Sequence, residues 1–142
     1  MKLWKLRQSR DEDQSFIFSS WLKSYRNYSV AAGIPNTVYF EKQHAIISRL
    51  LEKPTTLAIV ACDPDDESTI YGYIIAELDA SDMVLHWIYT KHPFRGFGLA
   101  RALVDEIATV KVDRTYYTTR TRQATDKEMI YDPYRLWRHL NE

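Results

Sequence analysis

The residues best suited to do chemistry are Arg95-Gly96-Phe97-Gly98-Leu99-Ala100-Arg101. Gly96 and Gly98 let the backbone bend and let a ligand approach bare N–H groups. A helical repeat follows at once, with Leu99, Ala102, Leu103 and Ile107 on one face. The first N–H groups of a helix have no internal partner, and the helix dipole adds partial positive charge at that end. Together they make an anion site suited to a diphosphate. Arg95 and Arg101 add formal charge. Upstream, Val84, Leu85, Trp87, Ile88 and Tyr89 are the types that fill a buried strand. Thr90 to Phe94 breaks that run, because Pro93 cannot donate to a ladder. The order is strand, glycine turn, helix.

Two other readings share these residues. A glycine turn between strand and helix is a common structural connection. A dinucleotide fingerprint of the βαβ type wants a third glycine, an early position and an acidic residue about 20 positions on. Here Arg101 follows the pair and the motif comes late. Cys62 is the single cysteine, so no internal disulfide forms, and its apolar run makes it a core residue. Asp63-Pro64-Asp65-Asp66-Glu67 has four acids, but adjacent rather than spaced as in a calcium loop. It reads as a solvated hairpin tip, and no metal site is expected.

The elements that must position the motif follow in order. Lys2 to Gln8 alternates as a strand. A helix opens at Ser9 or Asp11 and runs to Arg26, with Phe18, Trp21, Leu22 and Tyr25 on one face. Asn27 to Pro35 is a loop. Asn36 is expected to cap a second helix, Thr37 to Lys53, ended by Pro54. Strands follow over Thr55 to Cys62 and Thr69 to Asp79, where Gly72 marks a bulge or a close backbone approach. After the motif, the helix Leu99 to Val110 leads to a fifth strand, Thr115 to Thr121. A short helix over Asp126 to Tyr131 and a last turn over Tyr134 to Leu140 close the chain.

At 142 residues, 45% hydrophobic and 13% aromatic, the chain is expected to be one folded domain over residues 1–142. Its formal net charge of zero argues against bulk nucleic-acid binding. Residues 1–85 hold 9 Lys+Arg and 12 Asp+Glu, a net of −3, whereas residues 86–142 hold 10 and 7, a net of +3. A basic second half suits a polyanionic ligand. No apolar run approaches a membrane span, and the start lacks a signal-peptide core, so a cytoplasmic protein is expected.

The segment R-x-x-G-x-A, Arg95 to Ala100, resembles the acyl-CoA pyrophosphate motif of the GNAT acetyltransferase superfamily. The flanking residues resemble its fourth strand and central helix, and the likeness extends over residues 2 to about 122. It implies a mixed α/β fold with a twisted, mostly antiparallel sheet, helices on both faces and the order βααβββαβα. It implies acetyl-CoA as co-substrate and transfer of acetyl to a primary amine. The motif residues Arg95, Gly96, Phe97, Gly98, Leu99, Ala100 and Arg101 would hold the diphosphate. Main-chain groups of Ile88, Tyr89 and Thr90 would bind the pantetheine arm and the acyl carbonyl.

Acyl transfer from a thioester needs a neutral amine, a polarised carbonyl and a proton for the departing thiolate. The base candidates are Glu77, read as a solvated residue near a strand end, and His86, which titrates near neutral pH. His86 is placed on the strand face of Val84 and Ile88. Its structural reading is a hydrogen-bonded core histidine. The family resemblance puts a tyrosine acid on a helix after the fifth strand, where Tyr131 and then Tyr134 stand. The family's closing A-x-x-x-Y-x-x-x-G-F signature is absent, and no strand is expected after the fifth. The alternative is therefore a non-catalytic CoA-binding or protein-interaction module of the same ancestry, such as a small phage-type accessory protein. A homodimer is compatible with either reading.

Overall fold

The computed structural model describes residues 3–28, 31–120 and 128–142. Six strands form one sheet in the order of the chain: β1 (Lys5–Gln8), β2 (Thr56–Cys62), β3 (Ile70–Asp79), β4 (Asp82–Thr90), β5 (Thr115–Tyr117) and β6 (Ile130–Tyr131). The first four pair antiparallel. β5 joins β4 in parallel and β6 joins β5 in parallel. Helices α1 (Gln14–Tyr25) and α2 (Asn36–Glu52) cover one face together with the C-terminal α4 (Tyr134–Trp137). Helix α3 (Leu99–Ile107) covers the other. This is the mixed α/β architecture that the resemblance implies, with β6 added to the expected order.

β3 reads IYGYIIAELD because both its faces are buried. Tyr73 and Ile75 meet Ile17, Trp21, Ile46, Ile47 and Leu50 of α1 and α2. Ile74 and Ala76 meet Leu99, Leu103, Val104 and Ile107 of α3. Fully burying each such aliphatic side chain contributes roughly 1.5–3 kcal/mol. A Cβ at Gly72 would lie 2.4 Å from the Tyr89 carbonyl oxygen and 3.2 Å from Leu99 Cδ2, so only glycine lets α3 and β4 approach so closely. Cys62 is fully buried in the core. Arg7 grips the buried Asp13 carboxylate through two bonds, 2.7 and 2.9 Å, and donates to the Glu67 carbonyl at 2.8 Å. That fork ties β1, the start of α1 and the β2–β3 tip together. No helix among the described residues is long and apolar enough to cross a membrane.

The element boundaries depart from expectation at four places. β1 begins at Lys5, and Lys2 lies outside the described residues. A 3-10 turn, Asp11–Asp13, precedes α1, because Asp13 bonds back to the Arg10 N–H at 2.7 Å. Asn36 does not cap α2: Pro35 holds that position, and the Asn36 side-chain oxygen accepts from Arg26. The largest departure is C-terminal. Tyr131 sits on β6, paired with Tyr117, and not on a helix; Asp126 lies outside the described residues. The β-branched and aromatic Ile130-Tyr131 pair prefers a strand once β5 offers an edge. The final turn is as expected, α4 followed by a 3-10 turn over Arg138–Asn141.

Candidate active site

The glycine loop is built as the residue types require. After β4, a 3-10 turn (His92–Phe94) is closed by bonds from Phe94 N–H to Lys91 O and from Arg95 N–H to His92 O. Gly96 has φ +86° and Gly98 φ +81°, a left-handed conformation that L side chains rarely adopt. Gly98 is the N-cap residue of α3, and no side chain caps that helix. The bond from Ala102 N–H to Gly98 O begins the internal ladder, which leaves the amides before it for a ligand. A Cβ at Gly96 or Gly98 would meet nothing within 4 Å, so the approach is open. Arg95 Nε donates to the Thr90 carbonyl at 3.1 Å and fastens the loop to the end of β4. Phe97 is 59% exposed at the loop's crest, while Leu99 is buried in the core and offers only its backbone.

β4 carries a bulge beside this loop. Ala76 faces Leu85 and Ile75 faces Trp87, so His86 is one residue too many for β3. A bulge bends its strand and interrupts the ladder. β4 and β5 pair at Met83, Val84 and Leu85, and the last bond between them runs from Thr118 N–H to Leu85 O at 3.1 Å. Beyond it, among the described residues, no strand pairs with the β5 side of β4. Ile88, Tyr89 and Thr90 thus line a wedge where β4 runs on past the end of β5, and this open side leads to the glycine loop. The Thr90 hydroxyl is buried without a partner.

The bulge also re-aims side chains. His86 shares the α1–α2 face with Glu77 and Val84, but Ile88 packs on the α3 face, contrary to the expected grouping. Glu77 is 1% exposed rather than solvated. Its Oε1 accepts from His86 Nε2 at 2.8 Å, from His139 Nε2 at 2.9 Å and from Arg138 Nη2 at 3.1 Å, and Lys53 Nζ lies 3.6 Å from Oε2. Burial pushes the Glu77 carboxyl up, but the bonds from His139 and His86 prevail and hold it well below the usual carboxylate range. Burial pushes His86 down despite Glu77, so its ring is neutral. Burial also opposes charge on His139, but Glu77 and Glu142 outweigh it and raise that imidazole. His86 Nδ1 lies 3.1 Å from Thr118 Oγ1. A neutral ring whose Nε2–H donates to Glu77 presents Nδ1 as an acceptor for the Thr118 hydroxyl. Glu77, His86 and His139 also have metal-ligating atoms within 4.8 Å of one another. Arg138 and Lys53 already supply positive charge there, and both ring Nε2 atoms are taken up by Glu77.

The tyrosine candidates lie apart from this network. Tyr131 stacks obliquely on Tyr117, centroids 5.3 Å apart, with the Arg120 guanidinium 4.4 Å over its ring. Tyr134 is 73% exposed and packs edge-on to Trp137. On the α1–α2 face, Trp87 stacks on Trp21 at 5.9 Å and receives the edges of Tyr25 and Tyr28. Behind Tyr25 a cavity of about 290 Å³ opens, lined also by Ala31, Tyr39, Gln43, Trp137 and Leu140. Gln43 is buried, and its amide nitrogen has no hydrogen-bond partner among the described residues.

No family sequence model and no curated protein sequence matches the chain. Solved structures do. A candidate acetyl transferase from Pyrococcus furiosus is similar over 91% of this chain and 97% of its own, with TM-score 0.68 and 15% identity. A PaiA N-acetyltransferase from Thermoplasma acidophilum, in complex with coenzyme A, is similar over 77% of this chain and 71% of its own, with TM-score 0.53 and 19% identity. A GNAT family N-acetyltransferase from Escherichia coli, in complex with CoA, matches over 75% of this chain and 54% of its own, with TM-score 0.52 and 19% identity. The chain has the GNAT fold. At these identities the likeness is one of fold, and the site must be argued from this chain's own atoms. The GNAT-like motif residues Arg95 to Arg101 and the strand end Ile88 to Thr90 are brought together. Glu77 and His86 join a buried network, and Tyr131 and Tyr134 stand outside it. Thr118, Arg138 and His139 had no signal in the sequence, because the bulge and the folded-back C-terminus that bring them to Glu77 carry no local pattern.

Proposed function

We propose that this protein transfers an acetyl group from acetyl-CoA to a primary amine. The observation that carries the reading is the junction of two features: the unpaired side of β4 beyond Leu85 runs directly into the uncapped, left-handed glycine loop at the start of α3. The loop amides from Gly96 to Ala100 would take the diphosphate, with Arg95 and Arg101 adding charge. Backbone groups of Ile88, Tyr89 and Thr90 would bind the pantetheine arm as an added strand does. The same edge would hold and polarise the thioester carbonyl in the wedge. The aromatic wall of Trp87, Tyr25 and Tyr28 would receive the amine, and the cavity at Gln43 would take its body, with the free amide N–H aimed at an acceptor group. Tyr131 is the candidate proton donor to the leaving thiolate: its phenol lies close enough to Tyr25 to add to the upward push that burial gives that phenol.

The reaction is tested by thiol release from acetyl-CoA with an aliphatic polyamine, a lysine peptide, an arylalkylamine and an aminoglycoside. Amine-dependent release with an N-acetylated product by mass spectrometry is the expected result. CoA binding with no turnover on any amine would favour the binding-module reading.

A further inference from the structure

The wedge holds a hydroxyl, an imidazole and a carboxylate in series. Thr118 Oγ1 lies 3.1 Å from His86 Nδ1, and His86 Nε2 lies 2.8 Å from Glu77 Oε1. All three residues are at most 2% exposed. Such a series is recognised by geometry and not by sequence order. Its place in the fold is particular. Thr118 makes the last backbone bond between β4 and β5, and His86 is the bulged residue opposite it. The chain of groups therefore runs from just past the end of β5 across β4 to β3, where the β4–β5 pairing stops.

We propose that the Thr118 hydroxyl is a catalytic proton relay: it takes a proton from the attacking amine and passes its own to His86 Nδ1. The idea rests on the acetyl-transfer reading above. As the amine nitrogen bonds to the thioester carbon, an N–H proton moves to Thr118 Oγ1 and the Thr118 proton moves to His86. The C–S bond then breaks, the thiolate takes a proton from its own donor, and His86 later returns its proton to solvent through Thr118. No oxidant or further reactant is needed.

Three observations support the relay. The Thr118 hydroxyl has internal acceptors, His86 Nδ1 and, at 3.4 Å, the His86 carbonyl, so its oxygen is left to accept from a substrate. The buried His86 ring is neutral, so its Nδ1 can accept from the Thr118 hydroxyl, and Glu77 is the group that opposes the burial penalty on a proton there. Glu77 is ionised and touches the far nitrogen, where it stabilises the imidazolium as it forms. Glu77, His139 and Arg138 face the ring from β3 and the C-terminal turn, with Lys53, just past the end of α2, behind the carboxylate. Glu77 and His139 act through His86 and are positioning residues.

Thr118→Val keeps the shape and removes the hydroxyl, whereas Thr118→Ser keeps the hydroxyl and removes the methyl. On the amine that wild type turns over best, the Val variant is expected to lose roughly 10²–10⁴-fold in kcat with CoA affinity unchanged. The Ser variant should stay within about fivefold of wild type, well short of that loss. A packing role reverses the order, with Val active and Ser impaired, and overturns the relay while leaving acetyl transfer intact. Absence of turnover by wild type on every amine overturns the acetyl-transfer reading and the relay together. A second readout needs no substrate: nitrogen-15 shifts should show His86 protonated on Nε2 and bare on Nδ1. A proton on Nδ1 contradicts the relay.

Discussion

At the scale of single residues, the loop and the tyrosines make opposite demands. Gly98 serves by having no side chain, at φ +81° and beside amides that a diphosphate would need. Gly98→Asp adds both a strained conformation and a negative charge at that point. It is expected to abolish CoA binding by calorimetry while leaving the circular dichroism spectrum unchanged; full affinity would remove the loop from the site. Tyr131 serves by its hydroxyl if it is the acid, since a positioned phenol can hand a proton to a leaving thiolate. Tyr131→Phe should then lower kcat by about 10²–10⁴-fold with little change in CoA affinity. Its ring already packs on Tyr117 and under Arg120, so the stability of the variant should hold. Tyr134→Phe, at an exposed position on α4, is the control and should behave as wild type.

At the scale of elements, the bulge at His86 and the C-terminal turn depend on each other. The turn at Arg138–Asn141 docks through His139 and Arg138 on Glu77, and through Arg49 on the His139 carbonyl. The raised His139 imidazole contributes stability that is full below its ordinary value of 6.5 and is lost as pH rises through its folded value. Glu77, held low, contributes above its ordinary value of 4.5 and loses that only as pH falls through its folded value. The neutral His86 works the other way on the acid side, because the unfolded chain takes up its proton first. On the basic side only the His139 contribution fades. Hydrogen exchange of the 138–141 amides, corrected for intrinsic rate, should therefore gain on that of β3 above neutral pH. His139→Gln should remove that pH dependence. Strands β1 to β5, helices α1 to α3 and the glycine loop were legible in the sequence, because periodicity and glycine placement act locally. The bulge was not, since VLHWIYT alternates acceptably in either register and only pairing with β3 decides it. Glu77 looked solvated because its partners come from residues 138 and 139, some 60 positions away. Tyr131 looked helical because its strand exists only through the parallel edge of β5.

At the scale of the whole molecule, the sheet leaves β4 running past the end of β5 beside the start of α3. β1 to β3 and the two packed layers fix β4 in place. Gly72 lets α3 and β4 approach closely, and the bulge at His86 shifts β4 by one residue against β3. The short β6 extends the sheet beside β5, and the folded-back turn at Arg138–Asn141 braces Glu77. The central proposal for the molecule as a whole is that the loop and the open side of β4 form one continuous acyl-CoA site. The direct measurement is an amide NMR titration of the full chain with CoA. The largest shifts are predicted at Gly96 to Ala100 and at Ile88 to Thr90 together, saturating with a single dissociation constant. Saturation with shifts confined elsewhere, or at the loop without the strand, would contradict it.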